Sequence, residues 1–221
     1  MMSLGMQRDK IRIPLKQAEL EGVLWLPADA LGIVVCANSI AGPRMTPPND
    51  YVGSVLRSAR LGTLWVDLSG SGGVGQGTQE AEAPVELGDR IAAVCNWLGE
   101  HQATTDLPVA LFGAGEAGAA ALDLAATRPP CVCAVVTRGA RTDIVGTAAL
   151  ARITAPTLLI VGSLDDAMIA SHRGAYAALR CKKRLEIIPG GTRTFEEPGS
   201  LEVVARLTRS WFLQHAHFVV T

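Results

Sequence analysis

The sequence lacks an excess of charge of either sign. Its 20 Lys and Arg face 21 Asp and Glu, for a formal net charge of −1 over 221 residues. That balance points away from nucleic acid and from anionic membrane surfaces as partners. No apolar run reaches the length of a membrane-spanning helix, and residues 1–10 lack the apolar stretch of a secretory signal, so a cytoplasmic location is expected. The five cysteines are an odd count without paired spacing. Cys131-Val132-Cys133 is not a zinc knuckle, and neither a metal nor a cofactor is expected. Cys36, Cys131 and Cys133 lie in apolar runs and read as buried, reduced thiols. There is no internal repeat, low-complexity linker or break in composition, which predicts one domain over 1–221. Hydrophobic residues at 48% and charged residues at 19% describe a folded chain with a sizeable core.

What is present is an alternation of apolar strands and helical periods. Strands are expected at 10–15, 18–26, 31–37, 61–68, 107–112, 131–137, 156–161 and 184–188. Helices are expected at about 50–60, 84–100, 117–127, 143–152, 168–179 and 199–215. Leu87, Ile91, Val94, Cys95 and Leu98 mark the inner face of the second helix. Residues 38–49 read as a loop, and 69–78, with five glycines, as a mobile surface loop. Such alternation gives an α/β fold with a mostly parallel sheet covered on both faces.

The run Leu111-Phe112-Gly113-Ala114-Gly115-Glu116-Ala117-Gly118 joins a strand to an alanine-rich helix. Gly113, Gly115 and Gly118 match the dinucleotide fingerprint G-x-G-x-x-G. That motif belongs at the first βα turn, with an acid about 20 residues later. Here the turn follows roughly the fifth strand, and Val135-Val136-Thr137-Arg138-Gly139 supplies no acid, so nucleotide or anion binding at this turn stands as the third reading. The nucleophile elbow occupies the same context, and it requires an acid after a later strand and then a histidine after the last one. Asp165 and the loop 189–199 stand in those places. None of His101, His172, His215 and His217 falls in that loop; solvated or helix-end roles are expected for them.

With Ala134-Val135-Val136-Thr137-Arg138-Gly139, Ala155-Pro156-Thr157-Leu158-Leu159-Ile160-Val161-Gly162 and Phe195-Glu196-Glu197-Pro198-Gly199, the sequence resembles the dienelactone hydrolase-like group of small α/β-hydrolases. The resemblance is to the branch often fused to phosphoribosyltransferase domains. It implies an eight-stranded sheet with the second strand antiparallel, and a Ser-His-Asp or Cys-His-Asp triad without a large cap domain. The short stretch between Thr137 and Pro156, with room for one small helix, agrees.

The same resemblance places glycine, arginine and asparagine where chemistry is expected. Relatives read Gly-Ala-Ser-Thr-Gly at the elbow, and the serine falls on Gly115, followed by Glu116 and Ala117. The histidine falls on Arg193, and the His-Gly pair of the oxyanion hole on Asn38-Ser39, with Ile40 beside it. Asp165 alone is retained. Glycine has no nucleophilic atom, and arginine stays protonated and cannot act as a base. The expectation is a non-catalytic homologue holding a small ligand or a partner, as a monomer or homodimer. An ester or lactone hydrolase using Glu116 in the shifted register 114–118 is the alternative. Glu116, Arg193 and Asp165 are expected to meet as an acid–arginine–acid cluster. Ser39 and Ser163 are expected near the pocket mouth, and Trp65 within the sheet core.

Overall fold

Val34, Val35 and Cys36 are fully buried, and they face opposite ways. Ile33, Val35 and Ala37 pack into one apolar cluster, Val34 and Cys36 into another. A strand with both faces covered has no polar face to show, which is why this run is continuously apolar. The computed structural model describes residues 5–16, 18–38, 47–68, 84–128 and 131–215.

The strands are β1 (Met6–Pro14), β2 (Glu19–Pro27), β3 (Gly32–Asn38), β4 (Leu61–Asp67), β5 (Val109–Ala114), β6 (Ala134–Arg138), β7 (Thr157–Gly162) and β8 (Lys183–Ile188). They form one eight-stranded sheet in the order β1-β2-β4-β3-β5-β6-β7-β8. β2 runs antiparallel to both its neighbours and the other pairs are parallel. Helices α1 (Pro47–Arg57) and α6 (Ser200–His215) cover one face. Helices α2 (Pro84–Glu100) and α3 (Gly115–Thr127) cover the other, joined by Leu150 of α4 (Thr147–Leu150) and Ala175 of α5 (Asp166–Ala178). The expected fold class is observed, with no large cap among the described residues. No described helix is long and apolar enough to cross a membrane.

Several boundaries differ from the sequence expectation, each for a local reason. α1 starts at Pro47, because first-turn N–H groups have no intrahelical partner and proline is tolerated there. It ends at Arg57, and Arg60 turns the chain with a left-handed φ of 63° while its guanidinium binds Asp29 at 2.6 Å. The helix expected over 143–152 is a 3-10 turn, Thr142–Ile144, and the single turn α4, separated by Gly146. β6 begins at Ala134, leaving Cys131 exposed rather than buried. Trp65 lies in the core, edge-on to Phe112 at 6.5 Å.

β1 is an edge strand, and most of its residues are exposed. Arg8, Asp9, Lys10 and Arg12 line it. Charge along an unpaired edge discourages a further strand from adding. The opposite edge, β8, carries Lys183, Arg184 and Glu186.

Candidate active-site cleft at the carboxyl edge

Parallel strands β5, β6 and β7 end side by side, and in open α/β sheets ligands bind at that edge. β5 turns into α3 within one residue. Gly115 makes the turn with φ +54°, and no described atom lies within 4 Å of where its Cβ would be. The apex position thus keeps a left-handed backbone facing open space. Below it the packing is tight: a Cβ on Gly118 would sit 2.7 Å from the Ala140 methyl. Gly113 and Gly118 match the fingerprint because strand, helix and the β6 loop touch here. The turn follows β5, away from the first βα unit where a dinucleotide would be held.

Asp165 follows β7 and caps α5, its Oδ1 accepting from the Met168 N–H at 3.4 Å. Its Oδ2 accepts from Arg193 Nε at 2.9 Å, and the two side chains are 16% and 58% exposed. Arg193 stands in the loop between β8 and α6. That loop is fastened to the end of β7: the Gly190 N–H donates to Ser163 Oγ at 2.8 Å and the Leu164 N–H to Gly191 O at 3.0 Å. Ser163 therefore ties two loops together beside Asp165. The Thr192 N–H donates to Glu197 Oε1 at 3.1 Å, which holds that carboxyl below its ordinary range. Phe195 anchors the loop, 1% exposed, at a left-handed φ of 58°.

The expected acid–arginine–acid cluster is half formed. Arg193 meets Asp165, but no ion pair within 4 Å joins it to Glu116 among the described residues. Glu116 is half-buried in the first turn of α3, where a carboxylate suits the helix dipole. The Arg193–Asp165 pair is also not a buried one. With the cation 58% exposed, it contributes about 0–1 kcal/mol to stability.

The sequence reading missed three residues here. Arg141 forks onto Asp143, Nε to Oδ1 at 2.9 Å and Nη2 to Oδ2 at 2.8 Å. The fork holds the Asp143 carboxyl below its ordinary range and raises Arg141. The Arg141 N–H donates to Gly115 O at 3.0 Å, which ties this loop to the elbow. Arg138, the last residue of β6, has a fully buried Nη1 with no hydrogen-bond partner among the described residues. The available signal was the run Arg138-x-x-Arg141-x-Asp143 directly after an apolar strand.

His172 is buried in α5, its Nδ1 2.7 Å from Met168 O, so it is a core residue and not a solvated one. His101 stacks on Trp97 and His215 packs against Trp211 at the end of α6. His217 lies outside the described residues, as do Ser39, Ile40 and the glycine-rich loop 69–78. Asn38 ends β3 opposite Asp67. No group of three or more metal-ligating side chains is gathered among the described residues.

No family model matches the sequence. A solved dienelactone hydrolase from Anabaena variabilis is 38% identical, with a TM-score of 0.88 over 96% of this chain and 99% of its own. This chain belongs to the dienelactone hydrolase family. Two Mycobacterium tuberculosis proteins, each named "Putative phosphoribosyl transferase", are 37% identical over 214 residues. The match takes in 94% of this chain and 46% of each of theirs, so this dienelactone hydrolase-family chain spans about half their length. The esterase Est1E of Butyrivibrio proteoclasticus, 14% identical with a TM-score of 0.78, covers 93% of this chain and 98% of its own, and shows the same fold. So does a lidless α/β serine hydrolase of Xanthomonas campestris, 14% identical with a TM-score of 0.74 over 94% of each chain.

Proposed function

We propose that this member of the dienelactone hydrolase family has lost the acyl-enzyme mechanism and holds a small ligand at the carboxyl edge of its sheet. One observation carries the reading: the acid after β7 is engaged by Arg193 at 2.9 Å, where a hydrolase of this fold needs a histidine. A guanidinium stays charged at any working pH and cannot take a proton from a nucleophile. At the elbow, the left-handed apex belongs to Gly115, which has no side chain to deliver. Backbone and acid are kept while attacking atom and base are missing.

The absence of a base bears on the second reading as well. Glu116 sits one residue past the apex, half-buried and in no ion pair among the described residues, so a carboxylate nucleophile is available. Hydrolysis of its ester would need an activated water, and Arg193 cannot activate one. The cytoplasm is the proposed location, with a small molecule rather than nucleic acid or membrane as partner. The Mycobacterium tuberculosis relatives add the proposal that this ligand stands close to phosphoribosyl-transfer chemistry.

A p-nitrophenyl ester series with purified protein tests the proposal. No turnover above the uncatalysed rate is expected. Turnover that Glu116→Gln abolishes would establish the carboxylate mechanism instead.

A further inference from the structure

Three arginines reach the carboxyl edge around the elbow, and two of them are occupied. Arg141 is forked by Asp143, and Arg193 is bound to Asp165. Arg138 is different. No hydrogen bond or ion pair engages its guanidinium among the described residues, and Nη1 is fully buried. Its surroundings are apolar. Val136, two residues back on the same face of β6, belongs to the cluster of Phe112, Ile160 and Phe195. The Phe195 ring lies under the guanidinium, with Cζ 6.0 Å from the ring centroid. Burial pushes the Arg138 pKa down, and no carboxylate among the described residues counters it. An arginine nonetheless cannot shed its charge at neutral pH, so this half-buried cation, with Nη1 enclosed, has no counter-charge among the described residues.

Its position is informative. Arg138 stands in register with Ala114, the residue before the elbow apex, and with Ile160 of β7. Phe195, its aromatic support, is held at a left-handed φ of 58°, a conformation that costs an aromatic residue energy and persists where surroundings enforce it. The next residue, Gly139, packs against Arg193, where an added Cβ would meet the Arg193 carbonyl oxygen at 3.1 Å. The spare cation therefore lies between the elbow and the loop that bears Arg193. Helix α3 opens at the same edge with no side-chain cap on its N-terminus, which adds a favourable dipole for negative charge.

We infer that Arg138 is the anchor of a binding site for a small molecule bearing a compact oxyanion, a carboxylate or a phosphate, which the guanidinium takes as a fork. Nη1 is closed off, and the other edge of the guanidinium, Nε and Nη2, presents parallel N–H donors that match two oxygens of such a group. The apolar residues on the same face suit the organic body of the ligand. This names the chemistry of the ligand in the reading above and rests on that reading. Ester turnover bears on the loss of hydrolysis alone, and Arg138-dependent anion binding on this site alone.

The test is thermal denaturation of the whole chain with sodium phosphate or sodium acetate, each against sodium chloride of equal ionic strength. One of the two oxyanions is expected to raise the wild-type Tm by about 2–4 °C at tens of millimolar. Phosphate active and acetate silent assigns a phosphate-bearing ligand; the reverse assigns a carboxylate. Arg138→Met is expected to lose the response and, freed of an unpaired charge, to melt no lower than wild type in chloride. A second measurement needs no variant: the Arg138 Nε–Hε resonance should move on titration with the active anion. A wild type unmoved by both oxyanions, a variant responding as wild type does, or an unmoved Arg138 resonance would overturn the inference.

Discussion

The two ends of the sheet make opposite offers to a ligand. At the amino edge a groove of about 570 Å³ runs between Gly5, Met6, Leu26, Pro27, Ala28 and Leu107. Its volume would suit a small molecule, yet its lining carries no charged side chain among the described residues. At the carboxyl edge Glu116, Arg138, Arg141, Asp143, Asp165 and Arg193 gather around a turn with an open apex. Strand direction, helix dipoles and spare charge favour the second end. On the function proposed above, the ligand belongs at the carboxyl edge and the groove is no part of its site.

The comparison is broken most directly by restoring chemistry to the charged end. The double variant Gly115→Ser with Arg193→His should gain ester hydrolysis at least about 100-fold above wild type, because acid, elbow and fold are already in place. Spectrophotometric ester assays decide it, and Gly115→Ser alone should gain far less. The backbone beneath the apex should prove the least forgiving. Gly118→Ala drives a methyl to 2.7 Å from that of Ala140 and should cost about 1–3 kcal/mol by urea denaturation. Gly115→Ala meets open space and should cost about 1–2 kcal/mol, the left-handed turn alone.

A smaller effect concerns pH. Burial pushes the His172 pKa below its ordinary value, with the hydrogen bond to the Met168 carbonyl, and then Asp165 and Asp143, pulling the other way. Below about pH 6.5 the unfolded chain takes up a proton that the folded chain refuses. Stability should therefore be full above that pH and decline as pH falls toward 5. His172→Leu should flatten the decline in urea melts at the two ends of that range. At the amino edge, Met6→Gln should shift stability by less than about 0.5 kcal/mol and leave the carboxyl edge untouched. A large effect there on anion response would overturn the assignment of the site to the carboxyl edge.

The sheet was legible in the sequence because each apolar run has one structural use. β3 and β7 are buried on both faces, and their short, β-branched runs ending at Ala37 and Gly162 differ from the longer alanine-rich run of α3, which is also buried. The Asp165–Arg193 contact was also legible, through motif order. What escaped was set by side-chain reach. Glu116 was expected to meet Arg193, but linear order does not say which of two nearby arginines a carboxylate faces. His172 looks like a surface residue in a mixed helix. It is buried because α5 packs against the 3-10 turn, where Thr142 Oγ1 lies 3.5 Å from its ring. Arg138 closes an apolar strand, and its lack of a partner is a three-dimensional fact that no periodicity encodes.

The bare apex has a consequence for size. A hydrolase of this family fills the space above its elbow with the atom that attacks. Among the described residues that volume is open here. On the function proposed above, a guest should fit that is one heavy-atom group bulkier than an active relative admits.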